Sequence, residues 1–183
     1  MTTIFLDKTI TGLAALSIAT FLLFLSWWIQ KKEYIRKKLP VRVEEWEKVE
    51  DEACRFLESF EREVEVKERP FYGAIMFMLA VGFTFIVFPE TAAVVAVLVL
   101  SVSDSASTLV GVHLGNTSIP YSKKKSLEGF SAFFTTAFII SLVFVSPVQA
   151  LLVSLVGAFV ESLPRLDDNF SVPLAVALLL MVL

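Results

Sequence analysis

Residues 100–128 read LSVSDSASTLVGVHLGNTSIPYSKKKSLE. The stretch opens inside a long apolar run and places Asp104 where a membrane helix seldom tolerates a charge. Gly111 and Gly115 come next, then Lys123, Lys124 and Lys125, then Ser126, Glu128 and Gly129. An acid, spaced glycines and a lysine cluster are the components of a phosphate site next to lipid. On a helix, Ser101, Asp104, Ser105, Thr108 and Gly111 or Val112 share one face at three- and four-residue steps. That polar stripe predicts a lined cavity; the plainer reading is an Asp hydrogen-bonded between helices.

The remaining chain supplies the membrane setting. It has 183 residues, 56% of them hydrophobic. Its mean hydropathy of +0.72 goes with an apolar share well above that of an average soluble domain. Six apolar runs stand out, at 10–29, 71–88, 91–113, 127–145, 148–163 and 170–183. Crossing about 30 Å of hydrocarbon takes roughly 20 apolar residues in a helix. The expected fold class is therefore all-α: a polytopic membrane helix bundle of about six membrane segments. The last run is short for a full crossing. The first is long for a signal peptide, and no small-residue cleavage site follows it.

Charge placement gives the topology. Trp27 and Trp28 read as an interfacial belt, followed directly by Lys31, Lys32, Arg36, Lys37 and Lys38. Every Lys and Arg except Lys8 falls in 31–69, 116–125 or 164–169, and the intervening short turns hold only Glu90. Basic segments stay on the cytoplasmic side, which puts the N-terminus outside. The lysine cluster and the acidic 164–169 loop then share one membrane face. Within 41–66, Val43, Trp46, Val49, Ala53, Phe56, Leu57, Phe60 and Val64 recur at helical spacing. The opposite face is rich in Glu, which fits a solvated cytoplasmic amphipathic helix better than a lipid-surface one. The chain thus divides into a first span (1–30), a charged segment (31–69) and a membrane catalytic domain (70–183).

Composition removes other classes. A net charge of −3 argues against a nucleic-acid partner. One cysteine (Cys54) and one histidine (His113) leave no Cys/His zinc site and no intrachain disulfide. A magnesium site built from carboxylates remains open. Few Gln and Asn against many Glu and Lys is a thermophile's balance, and the expected location is a prokaryotic, archaeal-like cell membrane.

Lys123 to Lys125 precede Ser126, where a new helix begins. Ser126 is a suitable N-cap, and free N–H groups at a helix start attract anions. Lysines there can hold a polyphosphate; the plainer reading is a positive anchor beside anionic lipid. Gly111 and Gly115 have the spacing of close helix packing, or else let backbone approach a phosphate. A second acidic segment, VESLPRLDDNFSVP at 160–173, brings Glu161, Arg165, Asp167, Asp168 and Asn169. Asp168 or Asn169 is placed to cap the last helix, and the carboxylates also suit magnesium–nucleotide coordination. Walker A, protein-kinase glycine-loop, GxSxG and HExxH motifs are absent.

The order of DSASTLVGVHLG (104–115), KKSLEG (124–129) and ESLPRLDDNFSVP (161–173) resembles the CTP-dependent lipid kinases. That family includes dolichol kinase, yeast-type diacylglycerol kinase and phytol kinase, with more distant kinship to phosphatidate cytidylyltransferases. RPFYGAIMF (69–77) is similar to its lead-in helix, so the resemblance covers about 69–183. It implies transfer of the γ-phosphate of CTP, with Mg²⁺ or another divalent cation, to the hydroxyl of a membrane lipid alcohol, dolichol- or polyprenol-like or diacylglycerol-like. It implies Asp104, Lys125, Glu128 and Glu161 as the catalytic group. It implies Ser107, Gly111, Gly115, Lys123, Lys124, Lys125, Ser126 and Gly129 as nucleotide-binding, and Asp104, Glu161, Asp168 and Asn169 as metal ligands. Which of Asp104 and Glu161 takes the hydroxyl proton stays open. Arg36-Lys37 lacks the histidine that often accompanies that pair in the family, and the Glu-rich helix is outside its pattern. The rival readings are a CTP-dependent cytidylyltransferase and a small membrane transporter or scaffold. The partners to expect are CTP, the lipid alcohol, membrane lipids and, as an open alternative, a second copy in a homo-oligomer.

Overall fold

The fold is that of a computed structural model, which describes residues 2–36, 71–164 and 167–183. The predicted amphipathic helix at 41–66 lies outside the described residues. Six helices are seen among them: α1 (Thr2–Arg36), α2 (Tyr72–Val87), α3 (Glu90–Leu114), α4 (Leu127–Ser141), α5 (Pro147–Glu161) and α6 (Asp168–Val182). Prolines set several boundaries. Pro89 precedes α3, and Pro147 opens α5, where its missing N–H costs nothing. Ser146 and Gln149 close a reciprocal capping box there.

The chain divides into two compact units, Met1–Leu16 with Met76–Leu183, and Ser17–Ile75, each seen through its described residues alone. In the first unit α3, α4, α5 and α6 form a closed up-and-down ring: α3 on α4, α4 on α5, α5 on α6, and α6 back on the first part of α3. Its core is Val95, Val99, Phe133, Val153, Val172 and Val176. Phe133 is fully buried and lies so close to Gly157 that a Cβ there would sit 3.1 Å from its ring. The start of α1 packs on α2 through glycine: a Cβ on Gly12 would lie 2.7 Å from Ile86, and one on Gly82 2.6 Å from Leu16. Lys8 donates to the Phe88 carbonyl at the end of α2. A cavity of about 510 Å³ lies among Pro89, Leu142, Phe144, Gln149 and Leu180, at the end of the ring away from the lysines. In the second unit Phe24 stacks on Trp27, and the Lys31 ammonium lies 5.6 Å from the Trp27 ring.

Two helices, Lys8–Trp28 and Glu90–Leu114, are long and apolar enough to cross a membrane. The other four have 15 or 16 residues. At 1.5 Å per residue they reach about 22–24 Å, short of the roughly 30 Å of a typical core. Six apolar helices are present as expected, and two of them have spanning length. Their outer faces are apolar, with Leu109, Val112, Val148, Leu155 and Phe159 exposed. That pattern fits a helical membrane protein.

Two features depart from the sequence expectation. First, 116–125 is not a plain loop. Ser118–Ile119 and Ser122–Ser126 pair as an antiparallel β-hairpin, β1 and β2, around Pro120-Tyr121. Second, α3 is not regular. Val99–Asp104 forms a π-helical turn, whose extra residue rotates everything after it. The predicted stripe is consequently split. Ser101, Ser105 and Thr108 are exposed, and Ser101 and Ser105 donate to carbonyls of their own helix. Ser103 and Ser107 are the residues turned inward. The hydroxyls predicted to line a cavity face outward instead, and the inward polar face is Ser103 and Ser107, buried, with Asp104, half-buried.

Candidate active site

Lys125 is carried by β2, Glu161 by the last turn of α5 and Asp168 by the first turn of α6. The fold brings all three to one end of the ring. The Lys125 ammonium donates to Glu161 Oε1 at 2.5 Å and to Asp168 Oδ2 at 3.1 Å. Ser107, from α3, donates to the same Glu161 oxygen at 3.1 Å. Glu161 is almost wholly buried, so these two donors do for it what water would do outside. Burial on its own would lower the Lys125 pKa. The hydrogen bond and charge of Glu161, joined by the charge of Asp168, outweigh it and hold that pKa above the ordinary lysine value.

Asp104 completes the group. Oxygens of Asp104, Glu161 and Asp168 all lie within 4.8 Å of one another, close enough for one cation to engage all three. The donors are carboxylates without sulfur or imidazole, which suits a hard divalent ion such as Mg²⁺. The Asp104 carboxylate has no hydrogen-bond partner among the described residues. It is the acid of the three that is not already engaged.

The other predicted residues are placed as follows. Ser126 caps α4 and accepts from the Gly129 N–H at 3.1 Å. Gly111, Gly115 and Gly129 lie where α3 meets the start of α4. A Cβ on Gly115 would lie 2.8 Å from Ser126 Oγ, and one on Gly129 would lie 3.0 Å from the Ser107 carbonyl. Close helix approach occupies that side of the glycines. Glu128 stands apart from the carboxylate group, and both its oxygens take the Thr117 N–H at 3.2 and 3.3 Å, tying the hairpin root to α4. The side chains of Lys123, Lys124 and Arg165 lie outside the described residues. The cap of α6 is Asp167 rather than Asp168 or Asn169. Capping one residue earlier leaves the Asp168 side chain for the cluster, where Asn169 contributes its backbone N–H to Asp168 Oδ1. His113 is exposed near the end of α3. One contact was not anticipated: Tyr121, at the hairpin turn, shares a 2.8 Å hydrogen bond with Ser162, next to Glu161.

No family model matches the chain, and no solved structure matches it. Curated relatives do. "Probable phytol kinase 3, chloroplastic" of Glycine max is 35% identical over 129 residues, covering 60% of this chain and 39% of that protein. "Phytol kinase 1, chloroplastic" of Arabidopsis thaliana is 30% identical over 126 residues, 58% of this chain and 41% of that one. "CTP-dependent diacylglycerol kinase 1" of Schizosaccharomyces pombe is 30% identical over 135 residues, 63% and 62% respectively. The chain thus spans between 39% and 62% of the length of these relatives. Over about 60% of its length, including the residues that supply this acidic and basic cluster, the chain is thus similar to phytol kinases and to a CTP-dependent diacylglycerol kinase.

Proposed function

We propose that the chain transfers the γ-phosphate of CTP to the hydroxyl of a membrane lipid alcohol at the cytoplasmic face of the membrane. One observation carries this reading. Lys125, from the lysine motif, lies against Glu161 and Asp168, from the acidic motif, beside Asp104 inside an apolar helix. The distribution of Lys and Arg supports the cytoplasmic placement.

Phosphoryl transfer asks the protein mainly for positioning and charge neutralisation. Asp104, Glu161 and Asp168 would hold the divalent cation, which when bound offsets charge on the phosphates. Lys125 binds phosphate, joined by Lys123 and Lys124 of the same strand. Asp104, which accepts no hydrogen bond among the described residues, takes the proton of the lipid hydroxyl. The hydroxyl oxygen then forms a bond to the γ-phosphorus. The bond from that phosphorus to the β–γ bridging oxygen breaks, and CDP leaves with the electron pair. Ser107 fixes the buried Glu161 rather than touching nucleotide. Glu128 acts through the hairpin, which it anchors.

The relatives' names supply two acceptor classes to try, an isoprenoid alcohol and a diacylglycerol. The purified protein should be incubated with γ-labelled CTP, ATP or GTP against polyprenols, phytol, diacylglycerol and archaeol-type alcohols. Label is expected in the lipid with CTP, and CDP in the aqueous phase. Pyrophosphate with a CDP-lipid would instead make the chain a cytidylyltransferase. Asp104→Asn is expected to lower the rate about 100-fold or more. Full activity of that variant in folded protein would remove Asp104 from the reaction.

A further inference from the structure

Lys125 sits in an unusual position for a phosphate ligand. Its ammonium is not turned toward open solvent but lies between Glu161 and Asp168, at 2.5 and 3.1 Å. These oxygens belong to the same three-carboxylate group that suits a divalent cation. An ammonium and a divalent cation cannot share that space without strong repulsion at short range. The charges are also uneven, with three carboxylates facing one described ammonium. The buried Glu161 needs a positive neighbour at all times, and one lysine leaves the group short of positive charge.

We infer that Lys125 is a removable counter-ion: it fills the seat between Glu161 and Asp168 and gives it up to bind phosphate once a divalent cation takes the carboxylates. This rests on the proposed cation site. The side chain has the freedom required, with a four-carbon stem and 31% of its surface exposed. The strand beneath it need not move. The Tyr121–Ser162 hydrogen bond and the Glu128 bond to Thr117 hold both ends of the hairpin. The consequence is coupling. Without the cation, Lys125 is engaged and the carboxylates repel phosphate. With it, the repulsion falls and a lysine is released. Cation and nucleotide therefore strengthen each other's binding through Lys125, and the effect must be reciprocal.

Mn²⁺ binding to the purified full chain in detergent, followed by electron paramagnetic resonance, tests this without turnover. Without nucleotide, Lys125→Gln is expected to bind Mn²⁺ about tenfold more tightly than the native protein. CTP should tighten Mn²⁺ binding to the native protein and have much less effect on the variant. Lys125→Arg keeps a charge in the seat and should not bind Mn²⁺ more tightly than the native protein; this holds as a test if Lys125→Gln does not fold. Unchanged or weaker Mn²⁺ binding by Lys125→Gln, or tighter binding by Lys125→Arg, overturns the inference. Glu161→Gln separates it from the reading beneath. If that variant binds Mn²⁺ as the native protein does, the carboxylate site itself is wrong. If it weakens binding while Lys125→Gln fails to tighten it, only the counter-ion role falls.

Discussion

Ser105 and Ser107 are two residues apart and chemically identical, yet the fold gives them different work. Ser105 is exposed and bonds a carbonyl of its own helix, whereas Ser107 is buried and holds Glu161. A hydrogen bond to a charged group contributes about 1.5–3 kcal/mol. Ser107→Ala is expected to lose stability on that scale, and Ser105→Ala to lose almost none. Thermal unfolding of both variants in one detergent measures the difference; equal effects would mean that the π turn does not set the phase of α3. Asp104 itself was legible in the sequence, because a charge within an apolar run stands out against its neighbours. Glu161 and Asp168 were legible as an acidic segment expected on the same side as the lysines, and the fold brings both to Lys125. The inward turn of Ser107 was not. A π turn changes which carbonyl each N–H reaches and leaves no signature in composition.

At the scale of elements, the hairpin decides where Lys125 goes. SKKKS has low strand propensity, since lysine and serine are not β-formers, and local sequence reads it as a loop. Its pairing comes from its surroundings: Leu127 N–H bonds the Thr117 carbonyl, Ile119 is buried, and Tyr121 reaches Ser162 across 41 positions of sequence. A contact that distant has no local pattern to announce it. Tyr121→Phe removes the hydroxyl and keeps the ring. Amide hydrogen exchange at 118–126 is expected to quicken in this variant while that of α4 and α5 stays unchanged. Unaltered exchange in the hairpin would show that Tyr121 does not hold it.

At the scale of the whole molecule, the helix order was readable because each apolar run is bounded by proline, charge or a polar turn. Length was less readable. A run of apolar residues does not say where backbone hydrogen bonding stops, and α4 ends at Ser141 although the run continues to Val145. The topology expected from the charge distribution makes a direct prediction. In a chain whose Cys54 is replaced by Ser, Ser118→Cys and Val143→Cys lie at opposite ends of α4, both at exposed positions. An impermeant maleimide applied to sealed, inside-out vesicles is expected to label the first and spare the second. The reverse pattern would invert the assigned orientation.

The short helices also bear on the lipid around them. α4, α5 and α6 reach about 22 Å each, while α3 runs about 37 Å along its axis. A bilayer crossed by the shorter three would have to thin beside them, a hydrophobic mismatch costing fractions of a kcal/mol per Å. Such thinning would reach the carboxylates, since Glu161 and Asp168 sit at the ends of those helices. Under the proposed function, a lipid hydroxyl at the headgroup level would then be carried toward Asp104 by the membrane's own deformation. Activity in dimyristoleoyl phosphatidylcholine is expected to exceed that in dioleoyl phosphatidylcholine at equal substrate fraction, and a flat response would mean that bilayer thickness has no part in delivering the acceptor.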